Sequence, residues 1–236
     1  MEQHVSLSIA IPAYNEESSI LNVVEKAVSA ARRNASQYEI LIVDDGSTDQ
    51  TGNIGDSVAN KNRHIRVIHH SKNQGFSGAI KTCYTKASYD LVFLLPADGQ
   101  IDPFDVKIFL DALADADVVV GYRIHNPEPF MRRFNSFVFH IVYKLLFGVR
   151  LREISTSILW RKSVLDSLNI TATPNSALIE PEVVYKAWKK GFVFHEVAIP
   201  YYPRVSGQPK GANIQMIAET LKELIRLFFE QRLNIR

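Results

Sequence analysis

Four polar clusters punctuate the first hundred residues: Tyr14-Asn15-Glu16, Asp44-Asp45, Asn73-Gln74-Gly75 and Asp98-Gly99-Gln100. Each follows an apolar run, and each is rich in side-chain oxygen. Carboxylates in such positions suit two tasks. One can accept hydrogen bonds from the N–H edge of a nucleotide base. Another can hold a hard divalent cation, which takes oxygen ligands and shares them with a diphosphate. Asp98 and Gln100 offer two side-chain oxygens across Gly99, whose missing side chain lets backbone or ligand approach closely. Singly, each cluster has a plainer explanation. Asp98-Gly99 is a common turn dipeptide, and Asp44-Asp45-Gly46-Ser47 could cap the following helix. Their joint occurrence after successive apolar runs favours a shared site.

Other chemistries lack their residues. No G-x-G-x-x-G opens a helix and no G-x-x-x-x-G-K-[ST] occurs, which argues against a dinucleotide fingerprint and a P-loop. No Cys/His spacing suits zinc, and His195-Glu196 lacks the second histidine of a zincin. A sugar-phosphate nucleotidyltransferase would need a glycine-rich basic loop after the first strand, and IPAYNEE (11–17) supplies neither feature.

The elements that must position these clusters alternate. LSIAIPA (7–13), EILIVD (39–44), HIRVIHH (64–70), DLVFLLP (90–96) and DVVVGYR (117–123) read as strands. Helical spacing fills 16–33, 51–58, 76–87 and 103–113. Strands that are apolar on nearly every residue are covered on both faces, which predicts a mostly parallel sheet flanked by helices. Right-handed crossovers then bring all strand C-termini to one edge, where ligands of such sheets bind. The polar clusters therefore converge on one crevice. His69-His70 reads as strand-end surface, His195 as structural, and Tyr201-Tyr202-Pro203 as core and loop.

The second half carries two amphipathic stretches. Phe130, Phe134, Phe137, Val138, Ile141, Val142, Leu145 and Leu146 form a helical stripe within 128–150, with Arg132, Arg133, His140 and Lys144 among or opposite them. Ile214 to Phe229 repeats the pattern beside Lys222, Arg226 and Arg232. Such faces either pack in a core or dimer, or lie in a membrane interface where basic residues favour anionic lipid. At 236 residues one domain is expected, with the polar clusters in its first part (1–100), a second part at 101–211 and a C-terminal amphipathic helix at 212–236. The net charge of +2 gives no bulk pull toward nucleic acid, and the single cysteine, Cys83, allows no internal disulfide. No signal peptide or membrane-spanning run is legible, so a cytoplasmic location, peripheral at the membrane face, is expected.

IPAYNEE, IVDDGSTDQT, NQGFSGAIKT and ADGQIDP, in that order, resemble the inverting glycosyltransferases of family 2, with the GT-A fold. GYR (121–123), RRFNSFVFHIVYKLLFG (132–148), EISTSILWRKSVL (153–165) and EVAIPYYPRVSGQPK (196–210) are similar to polyprenyl-phosphate (dolichol-phosphate) glycosyltransferases. The resemblance implies that Pro12, Tyr14 and Glu16 line the nucleotide pocket, with Asp44 bonding the base and Asp45 beside it or capping the turn. It implies that Asp98 and Gln100 hold Mg²⁺ or Mn²⁺ against the donor diphosphate. Arg123, Arg132 and Arg133 would meet the acceptor phosphate, and Arg204 and Lys210 would close over the diphosphate. The implied partners are a nucleotide-diphospho-sugar donor, a lipid-phosphate acceptor, a membrane surface, and an anchoring protein or second copy.

The chain departs from the family pattern in four places. Pro96 replaces the first acid of an acid-x-acid pair, and Phe137 stands where a basic residue often meets the lipid phosphate. EISTSIL (153–159) replaces D-x-x-S-G-F-R, and Cys83 replaces a small glycine. Three outcomes stay open: transfer of a hexose to a polyprenyl phosphate, transfer to a saccharide or other acceptor, and a nucleotide-sugar-binding relative that has lost turnover.

Overall fold

The computed structural model describes residues 4–124, 128–154, 156–174, 176–204, 220 and 222–229, with side chains at all of these except 131 and 132. Seven strands form one sheet in the order β3-β2-β1-β4-β6-β5-β7. They are β1 (Ser6–Ala13), β2 (Gln37–Asp44), β3 (Ile65–His69), β4 (Leu91–Leu94), β5 (Val118–Arg123), β6 (Ile158–Arg161) and β7 (Phe194–Ile199). All neighbours run parallel except β6, which is antiparallel to both β4 and β5. The five strands expected from the sequence are present within a few residues. The short β6 lies inside the segment ILWR and supplies no alternation of its own to read.

Alternate residues of each strand feed two cores, as the two-residue strand period requires. On one face Ile9, Ile11, Ile40, Ile42 and Phe93 pack against α1 (Ile20–Asn34) and α4 (Val106–Asp111). On the other, Ala10, Leu41, Val43, Val92 and Trp160 pack against α3 (Gly75–Lys86), α5 (Phe130–Phe147), α6 (Lys162–Asp166) and α7 (Ile179–Lys189). Helix α2 (Thr51–Ala59) covers the β2–β3 end of the first face. Residues 222–229 are helical, and Leu224 and Leu227 join the second core.

Boundaries shift where polar residues outbid helical pattern. Residues 16–19 form a turn, so α1 begins at Ile20. The expected helix 103–113 starts as a 3₁₀ turn, Pro103–Asp105, with the Asp102 carboxylate accepting from the Phe104 amide. Pro103 at its first position suits a helix start, since the missing N–H would be unsatisfied there.

Cys83 sits in the second core with no exposed surface, and burial pushes its thiol pKa well up. The buried thiol should be inert. The native protein should resist a thiol-labelling reagent at pH 8 and take up one equivalent once unfolded in denaturant. Rapid labelling of the native state would contradict the packing of α3 on the sheet.

Candidate active site

Three chain segments interlock at the carboxyl edge of β1, β2 and β3. Asn15 adopts φ +50°, a left-handed conformation that asparagine tolerates better than most residues. Its amide donates to Ser47 Oγ at 3.0 Å, and its side-chain oxygen accepts from the Thr48 amide at 2.8 Å. The Glu16 amide donates to Thr51 Oγ1 at 2.7 Å, and the Asp45 amide donates to the Ala13 carbonyl at 2.8 Å. Gly46, at φ +68°, must be glycine: a Cβ there would lie 2.7 Å from backbone atoms of Lys72 and Asn73. The loops after β1, β2 and β3 are thus held as one surface.

The turn after β4 and the chain after β7 close the other side. Asp98 Oδ1 accepts from the Gln100 amide at 3.1 Å. The Tyr202 amide donates to the Gln100 carbonyl at 2.9 Å, and Gln100 Nε2 donates back to the Tyr202 carbonyl at 3.3 Å. Arg204 then bridges the two halves. Its guanidinium donates to Glu16 Oε1 and stands 3.8 Å from Asp98 Oδ2. Glu16 and Asp98, 82 positions apart by their numbering, therefore share one cation.

The structure brings Glu16, Asp98, Gln100 and Arg204 together directly, and the loop bonds tie Asp44 and Asp45 to the same edge. Pro12 is in β1 itself, paired with Val43, and Tyr14 follows the strand end. Lys210 lies outside the described residues, as does the side chain of Arg132. Arg133 is exposed in the first turn of α5. That turn follows Glu128, whose carboxylate accepts from Gln100 Nε2 at 3.4 Å, so the helix starts beside the Asp98 turn.

Arg123 is more enclosed than its sequence role suggests. Glu153 accepts from its backbone amide at 2.8 Å and from its guanidinium at 2.7 and 2.9 Å, and the Tyr201 ring lies 5.0 Å away. Burial opposes its charge, yet Glu153 holds the pKa above the usual arginine value. The charge that Arg123 could offer a phosphate is thus balanced by its own carboxylate.

Asp44 and Asp45 show what the sequence reading missed. The plainer alternative, a cap on the following helix, is not what forms: α2 begins at Thr51, and Asp44 Oδ1 accepts from the Ser47 amide at 3.0 Å. Asp44 is the register partner of His69 on β3. His69 Nδ1 meets Asp44 Oδ2 at 2.9 Å, and His70 Nδ1 meets Asp45 Oδ1 at 2.6 Å. Successive side chains point to opposite faces, so one His–Asp pair faces α2 and the other α3. The side chain of His70 is only 6% exposed, not the strand-end surface expected, and its Nε2 reaches Thr82 Oγ1 at 2.9 Å. The available signal was positional: two aspartates and two histidines end adjacent strands at the same register.

Glu180, on α7, is a second residue that no motif announced. It is 2% exposed, and its Oε1 has no hydrogen-bond partner among the described residues. Burial raises its pKa to about 8, with Arg123 pulling the other way. Among the described residues no cluster of three His, Cys, Asp or Glu side chains is placed to hold a metal.

A mostly parallel sheet with its acids at the carboxyl edge, divided by one antiparallel strand, is the GT-A architecture of nucleotide-diphospho-sugar transferases. The likeness extends to solved structures. Glucosyl-3-phosphoglycerate synthase from Mycobacterium tuberculosis, in complex with Mn²⁺, uridine diphosphate and phosphoglyceric acid, superposes with a TM-score of 0.73 at 18% identity, over 98% of this chain and 79% of that one. The same enzyme with Mg²⁺ and uridine diphosphate gives 0.70 at 17%, over 98% and 80%. The family model described as glycosyl transferase family 2 matches residues 8–166, and the chain belongs to that family.

Curated relatives are more similar in sequence than these structures. A dodecaprenyl-phosphate galacturonate synthase of Rhizobium johnstonii is 26% identical over 99% of this chain and 70% of its own length. Undecaprenyl-phosphate 4-deoxy-4-formamido-L-arabinose transferases are 32% identical in Proteus mirabilis, over 52% of this chain, and 25% in Pseudomonas fluorescens, over 90%. The chain spans 38% and 62% of those two transferases.

Linkage gives Glu180 a measurable signature. A carboxyl raised from 4.5 to about 8 is protonated in the fold while its unfolded counterpart ionises, so stability falls as pH rises from about 4.5 to about 8. Glu180→Gln should remove that slope: its urea midpoint should exceed the native protein's at pH 8 and match it near pH 4.5. Equal midpoints at both values would contradict the burial of an uncompensated acid.

Proposed function

We propose that this glycosyltransferase moves a hexose from a nucleotide-diphospho-sugar to a polyprenyl phosphate at a membrane surface, with inversion at the anomeric carbon. One observation carries the lipid part of this reading. Helix α5 starts beside Gln100 and leaves Phe130, Phe134, Phe137 and Leu145 exposed along its length, Leu145 at 80%. Ile225 and Phe229 are exposed in the helical segment 222–229. No helix among the described residues is long and apolar enough to cross a membrane. An apolar face flanked by Arg133, Lys144, Lys222 and Arg226 suits the interface plane of an anionic bilayer, which is where a lipid-linked phosphate is found. The galacturonate and formamido-arabinose transferases support the same acceptor class by their names.

The roles follow from position. Asp44 accepts from the N–H edge of the donor base, with Pro12, Tyr14, Glu16 and Asp45 lining the nucleotide pocket. Asp98 and Gln100 lie at the diphosphate. Their donor set, one carboxylate and one amide oxygen, is too small for a self-standing cage, and it fits Mg²⁺ or Mn²⁺ when the diphosphate completes the oxygen shell. Such an ion neutralises charge on the departing nucleoside diphosphate. Arg204 and Lys210 supply further positive charge to the same leaving group. Arg132 and Arg133 hold the acceptor phosphate, and the Arg123–Glu153 pair fixes the floor between them.

A phosphate acceptor is ionised near neutral pH, so no strong general base is required. Its oxygen attacks the anomeric carbon from the face opposite the diphosphate. The new C–O bond forms as the bond to the diphosphate breaks, and the nucleoside diphosphate leaves with the electron pair. The protein's work is positioning and charge neutralisation.

Asp98→Asn should lower transfer by roughly 10²–10³-fold, the scale of losing one electrostatic contact to a transition state, while circular dichroism and melting stay unchanged. Retained activity would remove Asp98 from the diphosphate site. Nucleotide binding by the native chain, with no turnover in any metal, would place it among non-catalytic nucleotide-sugar binders. A second variant tests the surface. Phe137→Glu with Leu145→Glu should cut transfer to polyprenyl phosphate in anionic vesicles by about tenfold or more, since each charge opposes burial of an apolar face, and should leave nucleotide affinity intact. Equal transfer by this variant would rule out α5 as the lipid-facing surface.

A further inference from the structure

His69 joins two carboxylates. Its Nδ1 lies 2.9 Å from Asp44 Oδ2 and its Nε2 lies 3.0 Å from Asp56 Oδ1. Ionised carboxylates only accept, so both ring nitrogens must donate for the two contacts to coexist. The ring is then an imidazolium, spanning a carboxylate on β2 and one on α2. Asp44 is nearly buried, with 8% of its side chain exposed, whereas Asp56 is exposed at 56%. The cation thus reaches from solvent to a nearly buried carboxylate.

Gly52 supplies an independent observation. It occupies the first turn of α2, where glycine weakens a helix relative to alanine. A Cβ at this position would lie 2.7 Å from Asp44 Oδ2 and 3.4 Å from the His69 ring. The helix therefore carries its poorer residue at the spot where any side chain would displace the Asp44 carboxylate from His69.

We propose that Asp56, His69 and Gly52 form a positioning device that holds the Asp44 carboxylate aimed for the donor base, making His69 a determinant of nucleotide affinity. This rests on the reading of Asp44 as the base acceptor. Asp44 Oδ1 is fixed by the Ser47 amide and Oδ2 by His69, which leaves each oxygen a second lone pair for the base. Asp44 from β2 and Asp56 from α2 are the titratable groups that act on the ring, and both raise its pKa above 6.5. A raised pKa means that the cation is present below that value and is lost as pH rises through it.

The test is calorimetric titration of the full chain in Mg²⁺ with UDP, GDP and CDP between pH 6 and 8.5, with inorganic pyrophosphate as the baseless control. For whichever nucleotide binds most tightly, His69→Ala should weaken binding about tenfold at pH 6.5, the scale of one charge-assisted contact. Pyrophosphate binding should not change. His69→Asn, which keeps a neutral donor toward Asp44, should recover part of the affinity. It should also lose the decline in affinity that the native protein shows with rising pH. Gly52→Ala should weaken nucleotide binding and leave pyrophosphate binding unchanged; a merely structural role for this contact would not produce that split. Native affinity and an unchanged pH profile in both His69 variants and in Gly52→Ala would overturn the proposal. Asp44→Ala separates the two levels. If it loses nucleotide affinity while the His69 variants do not, the positioning device fails and the base reading stands. If it binds every nucleotide as the native protein does, the base reading fails and the proposal falls with it.

Discussion

The bridge from Glu16 through Arg204 to Asp98 is the interaction on which the rest of the site depends. It joins the loop after β1, the turn after β4 and the chain after β7, which are distant in sequence. The three side chains are largely enclosed, at 10%, 17% and 17% exposure, so their charges act on one another with limited screening. Two acids against one guanidinium leave little positive charge for a diphosphate. That imbalance supports the divalent cation of the proposed function and the roles proposed there for basic residues beyond Arg204.

Much of this was legible because parallel α/β sheets impose so few choices. Apolar runs such as EILIVD and DLVFLLP could only be strands covered on both faces, and strands of one direction end on one edge. The clusters at Glu16, Asp44 and Asp98 then had to meet. What escaped the sequence reading depends on contacts between elements. Strand β6 is four residues long and runs against its neighbours, so it carries neither length nor periodicity as a signal. Glu153 and Arg123 looked like separate motif residues, and only the fold closes them into a pair. His69 at the end of β3 is exposed there, as read, but the pairing of His69 with Asp44 and of His70 with Asp45 appears only in the fold.

The second half of the chain shows the limit of amphipathic pattern as evidence. The stripe on α5 was equally compatible with core and with membrane. Packing leaves all eight residues of the stripe exposed, and it is Tyr143 and Phe147, outside the stripe, that enter the second core. One helix serves both purposes because its apolar arc is wider than the sheet can cover. Its start beside Gln100 links that uncovered face to the diphosphate end of the crevice, a relation that neither periodicity nor composition could have supplied.

In the proposed function a single crevice at the strand edge receives a nucleoside diphosphate together with a divalent cation. Calorimetry of UDP and GDP binding in Mn²⁺, compared with binding in a chelator, tests it most directly. The account predicts that one of the two nucleotides binds at one site per chain and that Mn²⁺ tightens it by at least about tenfold, the scale of a charge-assisted contact. Absence of binding by either nucleotide, or equal affinity with and without the ion, would contradict it.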